Sequence, residues 1–349
     1  MIWKLFKVDL KSEITEIDNN AIRFKIDFPP FEGLTFVCMY LLKIDGSNVL
    51  IDAGLHFSDW KHKFFLGLEK FNISVKDIDY CIVTHDHLDH IGLVKTLKHK
   101  NPNMQILMHK ITHELIKWDT DVKNKKELKR IAVELADRMM SYGMSEKEGE
   151  KIVNFYTNWR TLTPYHKPDR ILRDNDEILF DSNKLKVIWT PGHAAGHICI
   201  FDVNNKYLFS GDHILSRITP HIGSFMLNPL LKKEYDLTNI LDFYLTSLDK
   251  IDKLNSKIIF PAHQEVIYNP HERISEIKKH HDNRLYEISN VIKNNPLTPF
   301  RISQIHFGEE LSDINMLLGI SEVISHLIYL ESQGKVKRME KNGKMYFLS

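Results

Sequence analysis

Thr84-His85-Asp86-His87-Leu88-Asp89-His90 packs three histidines and two aspartates into seven residues, directly after the strand-like run Tyr80-Cys81-Ile82-Val83. Imidazoles and carboxylates at this density make poor core and ordinary surface, but they are good ligands for zinc or a similar metal. The position constrains the fold. A strand that stops and at once offers ligands is how a rigid sheet delivers a metal site to its edge. The arrangement recurs along the chain. The run 185–189 is followed by His193 after Pro191-Gly192, the run 207–210 by Asp212 after Gly211, and the run 257–260 by His263 after Pro261-Ala262. Candidate ligands therefore sit at strand ends, where side chains from separate strands converge.

The spacing divides these residues. His85 and His87, two apart in an extended turn, point the same way and can share one ion. Asp89 and His90 lie on the next turn and reach a second position. His193 completes the first trio, His263 completes the second set, and Asp212 can bridge them. A closed structural zinc site takes four protein ligands, whereas a catalytic site leaves a position for water. Two ions roughly 3.5–4 Å apart can hold a shared hydroxide.

Around these motifs the chain alternates between β and α patterns. Ile22, Phe24 and Ile26 alternate with Arg23 and Lys25, as in a half-buried strand. Strands are expected at 36–42, 49–51, 80–84 and 105–108, and helices at 61–71 and 91–99. A segment at about 111–162 is helical by the recurrence of Leu128, Ile131, Ala132, Leu135, Ala136 and Met139. Trp118, Met140, Phe155, Tyr156 and Trp159 belong to the same insert, as core or as a lid over the site. From about 270 a long helix (272–293), a second helix carrying Ile320, Val323, Ile324, Leu327 and Ile328, and a hairpin turning at Asn342-Gly343 suggest a winged-helix module. The expected division is a domain at 1–270 and a linker helix with a winged-helix-like domain at 271–349.

These motifs resemble the metallo-β-lactamase superfamily, an α+β fold built as an αββα sandwich. Residues 84–92 are similar to its H-x-H-x-D-H-x-G motif, 190–197 to its later histidine motif, Ser210-Gly211-Asp212 to its bridging aspartate, and Pro261-Ala262-His263 to its final histidine. The resemblance covers roughly residues 20–270. His280-His281-Asp282-Asn283-Arg284-Leu285 and the helix–hairpin end resemble the glyoxalase-II-like hydrolases with a C-terminal winged helix. The chain departs from glyoxalase II at Leu93 and at Gln264-Glu265-Val266, so glutathione-binding residues do not carry over. The resemblance implies metal ligation by His85, His87, Asp89, His90, His193, Asp212 and His263. It also implies that Asp52, in Ile51-Asp52-Ala53-Gly54, orients a ligating histidine from behind. His197 reads as a buried hydrogen-bonding residue, and His213 and His221 as lining a substrate pocket.

The function expected is a dinuclear metal-dependent hydrolase, with a metal-bound hydroxide attacking a thioester, ester or lactone carbonyl. Asp89 orients the hydroxide. The cofactors are two divalent ions, zinc first, with iron or manganese as alternatives. A phosphodiesterase or nuclease on the same fold is the alternative enzyme. A nucleic-acid-binding or scaffold protein with a relic metal site is the alternative from another class. Basic and acidic residues nearly cancel, 47 against 46, and 321–333 holds two glutamates and no lysine or arginine, so nucleic acid is disfavoured. The apolar stripe of that helix has to bury against the catalytic domain or a second subunit, which leaves a homodimer open. Cys38, Cys81 and Cys199 lie far apart in apolar runs and read as reduced core residues. Residues 1–7 are too short and charged for a signal peptide, and no apolar run approaches the roughly 20 residues that span a bilayer. The expectation is a cytoplasmic protein acting on a small molecule.

Overall fold

Alternation along the strands decides which layer each side chain enters. In the run 37–42, Val37, Met39 and Leu41 belong to one buried cluster, whereas Cys38, Tyr40 and Leu42 belong to another. The same split separates Leu50 from Val49 and Ile51, and Cys81 and Val83 from Ile82. A strand buried on both faces reads as such a continuous apolar run. The computed structural model describes residues 11–18, 20–31, 34–159, 165–223 and 235–349; residues 1–7 and the Trp159 side chain lie outside it.

The first sheet contains β1 (Ser12–Asp18), β2 (Ala21–Phe31), β3 (Leu34–Ile44), β4 (Ser47–Ile51), β5 (Tyr80–Val83), β6 (Gln105–His109) and β7 (Arg170–Leu172), in that spatial order. The pairs from β1 to β4 are antiparallel and those from β4 to β7 parallel. The second sheet has the order β12-β11-β10-β9-β8, from β8 (Glu177–Leu179), β9 (Lys184–Trp189), β10 (Ile198–Asp202), β11 (Tyr207–Gly211) and β12 (Ile258–Pro261). Tyr40, Val49, Ile82 and Leu107 of the first sheet meet Val187, Ile200, Phe209 and Phe260 of the second in one core.

Helices cover both outer faces. α1 (Ser58–Lys70), the short α2 (Leu88–Ile91) and α3 (Val94–Lys100) lie on the first sheet, burying Trp60, Phe64, Val94 and Leu97. The insert forms α4 (Lys110–Thr120), α5 (Lys125–Ser141) and α6 (Glu146–Trp159). On the second sheet lie α7 (Ile240–Asp252), α8 (Pro270–Val291), α9 (Pro299–Phe307) and α10 (Asp313–Ser332). The architecture is the expected αββα sandwich. The chain ends in the hairpin β13 (Lys337–Lys341) and β14 (Lys344–Leu348), whose turn has φ of 51° at Asn342 and 70° at Gly343, as a type I′ turn requires.

The apolar stripe of α10 is consumed inside the chain. Val323, Leu327 and Leu330 enter the core beneath the second sheet, with Tyr244 and Ile277. Ile320 and Ile324 pack on Leu128, Ile131 and Leu135 of α5 and on Tyr156 of α6, with Ile328 partly buried beside them. Each fully buried aliphatic side chain contributes about 1.5–3 kcal/mol, so α10 fastens the insert to the body. Trp118 packs against the same cluster, and Phe155 is exposed.

Beyond the core, the strand-end segment 261–264 is tied to the first sheet. Tyr40 Oη donates to Pro261 O at 2.7 Å, Cys38 N to Ala262 O at 2.6 Å, and Arg23 Nη2 to Gln264 O at 2.7 Å. All three cysteines are free and buried. No helix among the described residues is long and apolar enough to cross a membrane.

Candidate metal centre

Six of the seven candidate ligands follow strands β5, β11 and β12, and the seventh, His193, follows β9. At the end of β5 the chain turns through His85 and His87 into α2, which carries Asp89 and His90. Gly92 lets this helix settle on the turn after β4, because a Cβ there would stand 2.3 Å from Gly54 O. Gly211 adopts φ of 50°, and a Cβ would lie 2.6 Å from His197 Nε2. Asp212 is thereby brought against the histidines.

Two groups result: His85, His87, His193 and Asp212, and Asp89, His90 and His263. His193 Nε2 lies 3.0 Å from His87 Nδ1 and 3.4 Å from Asp212 Oδ2, and His85 Nε2 lies 3.9 Å from that same oxygen. The other oxygen faces the second group. Asp212 Oδ1 is 3.5 Å from His90 Nε2 and 3.4 Å from His263 Nε2, and His263 Nε2 is 3.1 Å from Asp89 Oδ2. One carboxylate therefore addresses both groups.

The far edges of His90, His193 and His263 are each held by a group that can only accept. His263 Nδ1 donates to Phe36 O at 2.7 Å and His193 Nδ1 to His221 O at 3.1 Å. A carbonyl can only accept, so these nitrogens carry the proton and the Nε2 lone pairs face inward. His90 Nδ1 pairs with Asp52 Oδ2 at 2.8 Å, and Asp52 also accepts from Thr84 N at 2.8 Å and Thr84 Oγ1 at 2.9 Å. Thr84 Oγ1 in turn is 3.1 Å from His85 Nδ1. Asp52 reaches this position with φ of 62°, a left-handed conformation that costs a non-glycine residue about 1 kcal/mol or more.

Burial and charge work against each other here. Burial, followed by the neighbouring His90 and His87, holds the His85 pKa well below the usual imidazole range, and burial with His87 brings His193 to about 4. Burial would raise Asp212, but His263 and His90 hold it well below the carboxylate range. Burial would lower His263, yet Asp212 and Asp89 push it up to about 10. The centre thus combines ionised carboxylates, imidazoles held neutral at His85 and His193, and a demand for positive charge around Asp212 and Asp89. His85 Nε2, His90 Nε2 and Asp212 Oδ1 are buried with no hydrogen bond among the described residues. Buried polar atoms normally have partners, and a divalent cation suits this donor set.

The remaining candidates take other places. His197 Nε2 accepts from Asp212 N at 3.1 Å while its Nδ1 meets Thr190 Oγ1 at 2.8 Å, so it holds the Asp212 backbone. His213 is fully buried between His197 and Tyr244, behind the centre. His221 approaches through its backbone carbonyl, and its ring lies 3.7 Å from Glu322 Oε2. Phe36 was not legible as a site residue, since it acts through a backbone carbonyl that any residue type supplies.

A third buried group, His281, Glu322 and His326, joins α8 to α10. His326 Nδ1 donates to Glu322 O at 2.8 Å, and its Nε2 lies 3.1 Å from His281 Nδ1.

Comparison with known proteins agrees with this geometry. Over 317 residues the chain is 25% identical to a protein of Bacillus subtilis named "Probable metallo-hydrolase YqjP", covering 89% of this chain and 92% of the relative. The crystal structure of a metallo-beta-lactamase family protein from Thermus thermophilus superposes with a TM-score of 0.71 at 23% identity, covering 93% of this chain and 98% of that one. A beta-lactamase domain protein from Burkholderia ambifaria gives a TM-score of 0.78 at 22% identity, covering 96% and 94%. At those identities the two structures show the fold alone. The family model described as the metallo-beta-lactamase superfamily matches residues 33–263, from β3 to the last of the converging histidines, and the chain belongs to that superfamily.

Proposed function

We propose that this protein is a dinuclear metal-dependent hydrolase of carbonyl compounds: thioesters, esters or lactones. One observation carries the reading. Asp212 turns Oδ2 to His85 and His193 and Oδ1 to His90 and His263, the disposition of a carboxylate shared by two ions. His85, His87, His193 and Asp212 would hold one ion, and Asp89, His90, His263 and Asp212 the other. Zinc is the first choice for this set. When bound, the ions would supply Lewis acidity and bring the pKa of water towards about 7.

The chain's own residues prepare the site. Asp52, Phe36 O and His221 O keep the Nδ1 protons on the outer edges of His90, His263 and His193. Asp89 is only half-buried, so its carboxylate can orient water at the open edge and take up a proton. No serine or cysteine nucleophile is needed, and the free cysteines are buried, as in a protein of a reducing compartment.

The printed name of the Bacillus relative, a metallo-hydrolase, supports the reaction class. Helices α9 and α10 with the hairpin support a winged-helix-like unit of the glyoxalase-II-like branch, within a division at about residue 270. Ser321, Glu322, Ser325 and His326 of α10 are buried in the chain, which disfavours DNA as its partner. Elemental analysis of the purified protein, followed by thioester, lactone and phosphodiester panels, tests the proposal. About two ions per chain and carbonyl hydrolysis are expected. Metal content near zero that does not recover on reconstitution, or cleavage of phosphodiesters alone, would overturn it.

A further inference from the structure

The loop from Asp212 to Gly223 links the shared carboxylate to the residue that backs His193, and the C-terminal helices grip it along its length. From α8, Arg273 Nε donates to Leu215 O at 2.7 Å and Arg273 Nη2 to Ile218 O at 2.9 Å, while His280 Nε2 lies 3.3 Å from Thr219 Oγ1. From α10, Glu322 Oε2 accepts from Ile222 N at 3.2 Å. Ser325 Oγ, which donates to Ser321 O at 2.8 Å, also lies 3.4 Å from Ile222 O. Arg284 Nη1 stands 3.8 Å from the other Glu322 oxygen.

The grip falls next to a ligand. Ile222 is fully buried, and the preceding carbonyl, His221 O, accepts from His193 Nδ1 at 3.1 Å. Gly223 N reaches back to Gly192 O at 3.4 Å. The Glu322 carboxylate therefore fixes, at its N–H, the same peptide unit whose carbonyl fixes the imidazole of His193. Outer partners of this kind set ligand orientation and tune affinity.

We propose that Glu322, with Arg273, is a positioning residue for the metal centre, so that the C-terminal helices are part of the metal-binding apparatus. The inference rests on the metal reading above. The test is ion affinity by chelator competition, together with the visible spectrum of the cobalt(II)-loaded full-length protein, for wild type, Glu322→Ala and Glu322→Gln. Removal of an outer partner typically costs 10–100-fold in affinity, and Glu322→Ala is expected near the lower end, about tenfold, for one of the two ions, with a changed cobalt spectrum. Glu322→Gln keeps an oxygen acceptor for Ile222 N and is expected to recover most of the loss. Circular dichroism and the melting temperature separate this from unfolding. If Glu322→Ala does not fold, Arg273→Lys supplies the comparison, with a smaller shift in the same direction expected. Two ions bound with wild-type affinity and spectrum in the folded variant would overturn this inference alone. A wild-type protein that binds no ion would overturn the hydrolase reading and this inference with it.

Discussion

Among the described residues, two assemblies of buried histidines invite comparison, one at the strand ends and one between α8 and α10. In the centre formed at the strand ends, outer acceptors hold the Nδ1 protons of His90, His193 and His263, and the inner lone pairs converge on Asp212. Between α8 and α10, His326 likewise gives its Nδ1 proton to a carbonyl, Glu322 O. There the inner nitrogen meets His281 Nδ1 at 3.1 Å, much as His193 Nε2 meets His87 Nδ1 at 3.0 Å in the centre, so the imidazoles alone do not tell the two apart. The Glu322 carboxylate is spent on Ile222 N and faces Arg284, a permanent cation. Both places hold histidines, a carboxylate and deep burial. The difference lies in the carboxylate. Asp212 stands among four imidazoles, whereas Glu322 is held by a backbone N–H and faces a fixed cation. That favours ion binding at the first and a structural network at the second.

The largest way to break this contrast is Asp212→Ala. Turnover on a verified substrate is expected to fall on the order of 10³-fold or more, with loss of at least one bound ion in elemental analysis. Near wild-type turnover would refute the shared-carboxylate assignment. Asp52→Ala comes next. It frees the outer edge of His90 and removes both acceptors of Thr84, so a 10–100-fold loss of ion affinity is expected in chelator competition. His326→Ala sharpens the other side of the comparison. Ion stoichiometry is expected to stay at the wild-type value while stability drops by about 2 kcal/mol in urea unfolding; loss of an ion would make the network a site.

Acid tests the same contrast through stability. Burial is the main cause that brings His213 and His326 to about 3 and His281 to about 2, against about 6.5 in an unfolded chain. Between about 3 and 6.5 the unfolded chain binds protons that the folded one refuses, so stability rises with pH across that window and is lost as pH falls through it. Urea midpoints of the metal-free protein at pH 7.5 and pH 5 should show that loss, and His281→Ala/His326→Ala should reduce it. An unchanged pH dependence in the double variant would place the acid sensitivity elsewhere.

Much of this was readable beforehand because motifs at strand ends leave a signature in residue type. The seven residues that the structure gathers at the strand ends lie in motifs legible by residue type, as do Asp52, which bonds His90 Nδ1, and His197, which accepts from Asp212 N; the helical insert, legible by periodicity, runs over α4–α6. Other elements were harder to read. β1, in which Ile14 is buried among charged neighbours, is an edge strand that looks polar. α9 is nine residues long and begins at Pro299, so its periodicity is brief. The expectation that His213 lines a pocket rests on its closeness to Asp212 in sequence; its ring packs, fully buried, between His197 and Tyr244. The role of Glu322 passes through backbone groups of residues 221 and 222, which no side-chain pattern encodes.

The ties between segment 261–264 and the first sheet bear on how ions leave. His263 sits within four residues that bond to Phe36, Cys38, Tyr40 and Arg23. Moving this ligand outward means parting the two halves of the sandwich along that seam. The seam thus behaves as a clasp on one ligand of the Asp89, His90 and His263 group. A strong chelator would strip the ion of that group more slowly than the ion held by His85, His87 and His193, and cutting a tie of the clasp would bring the two rates together.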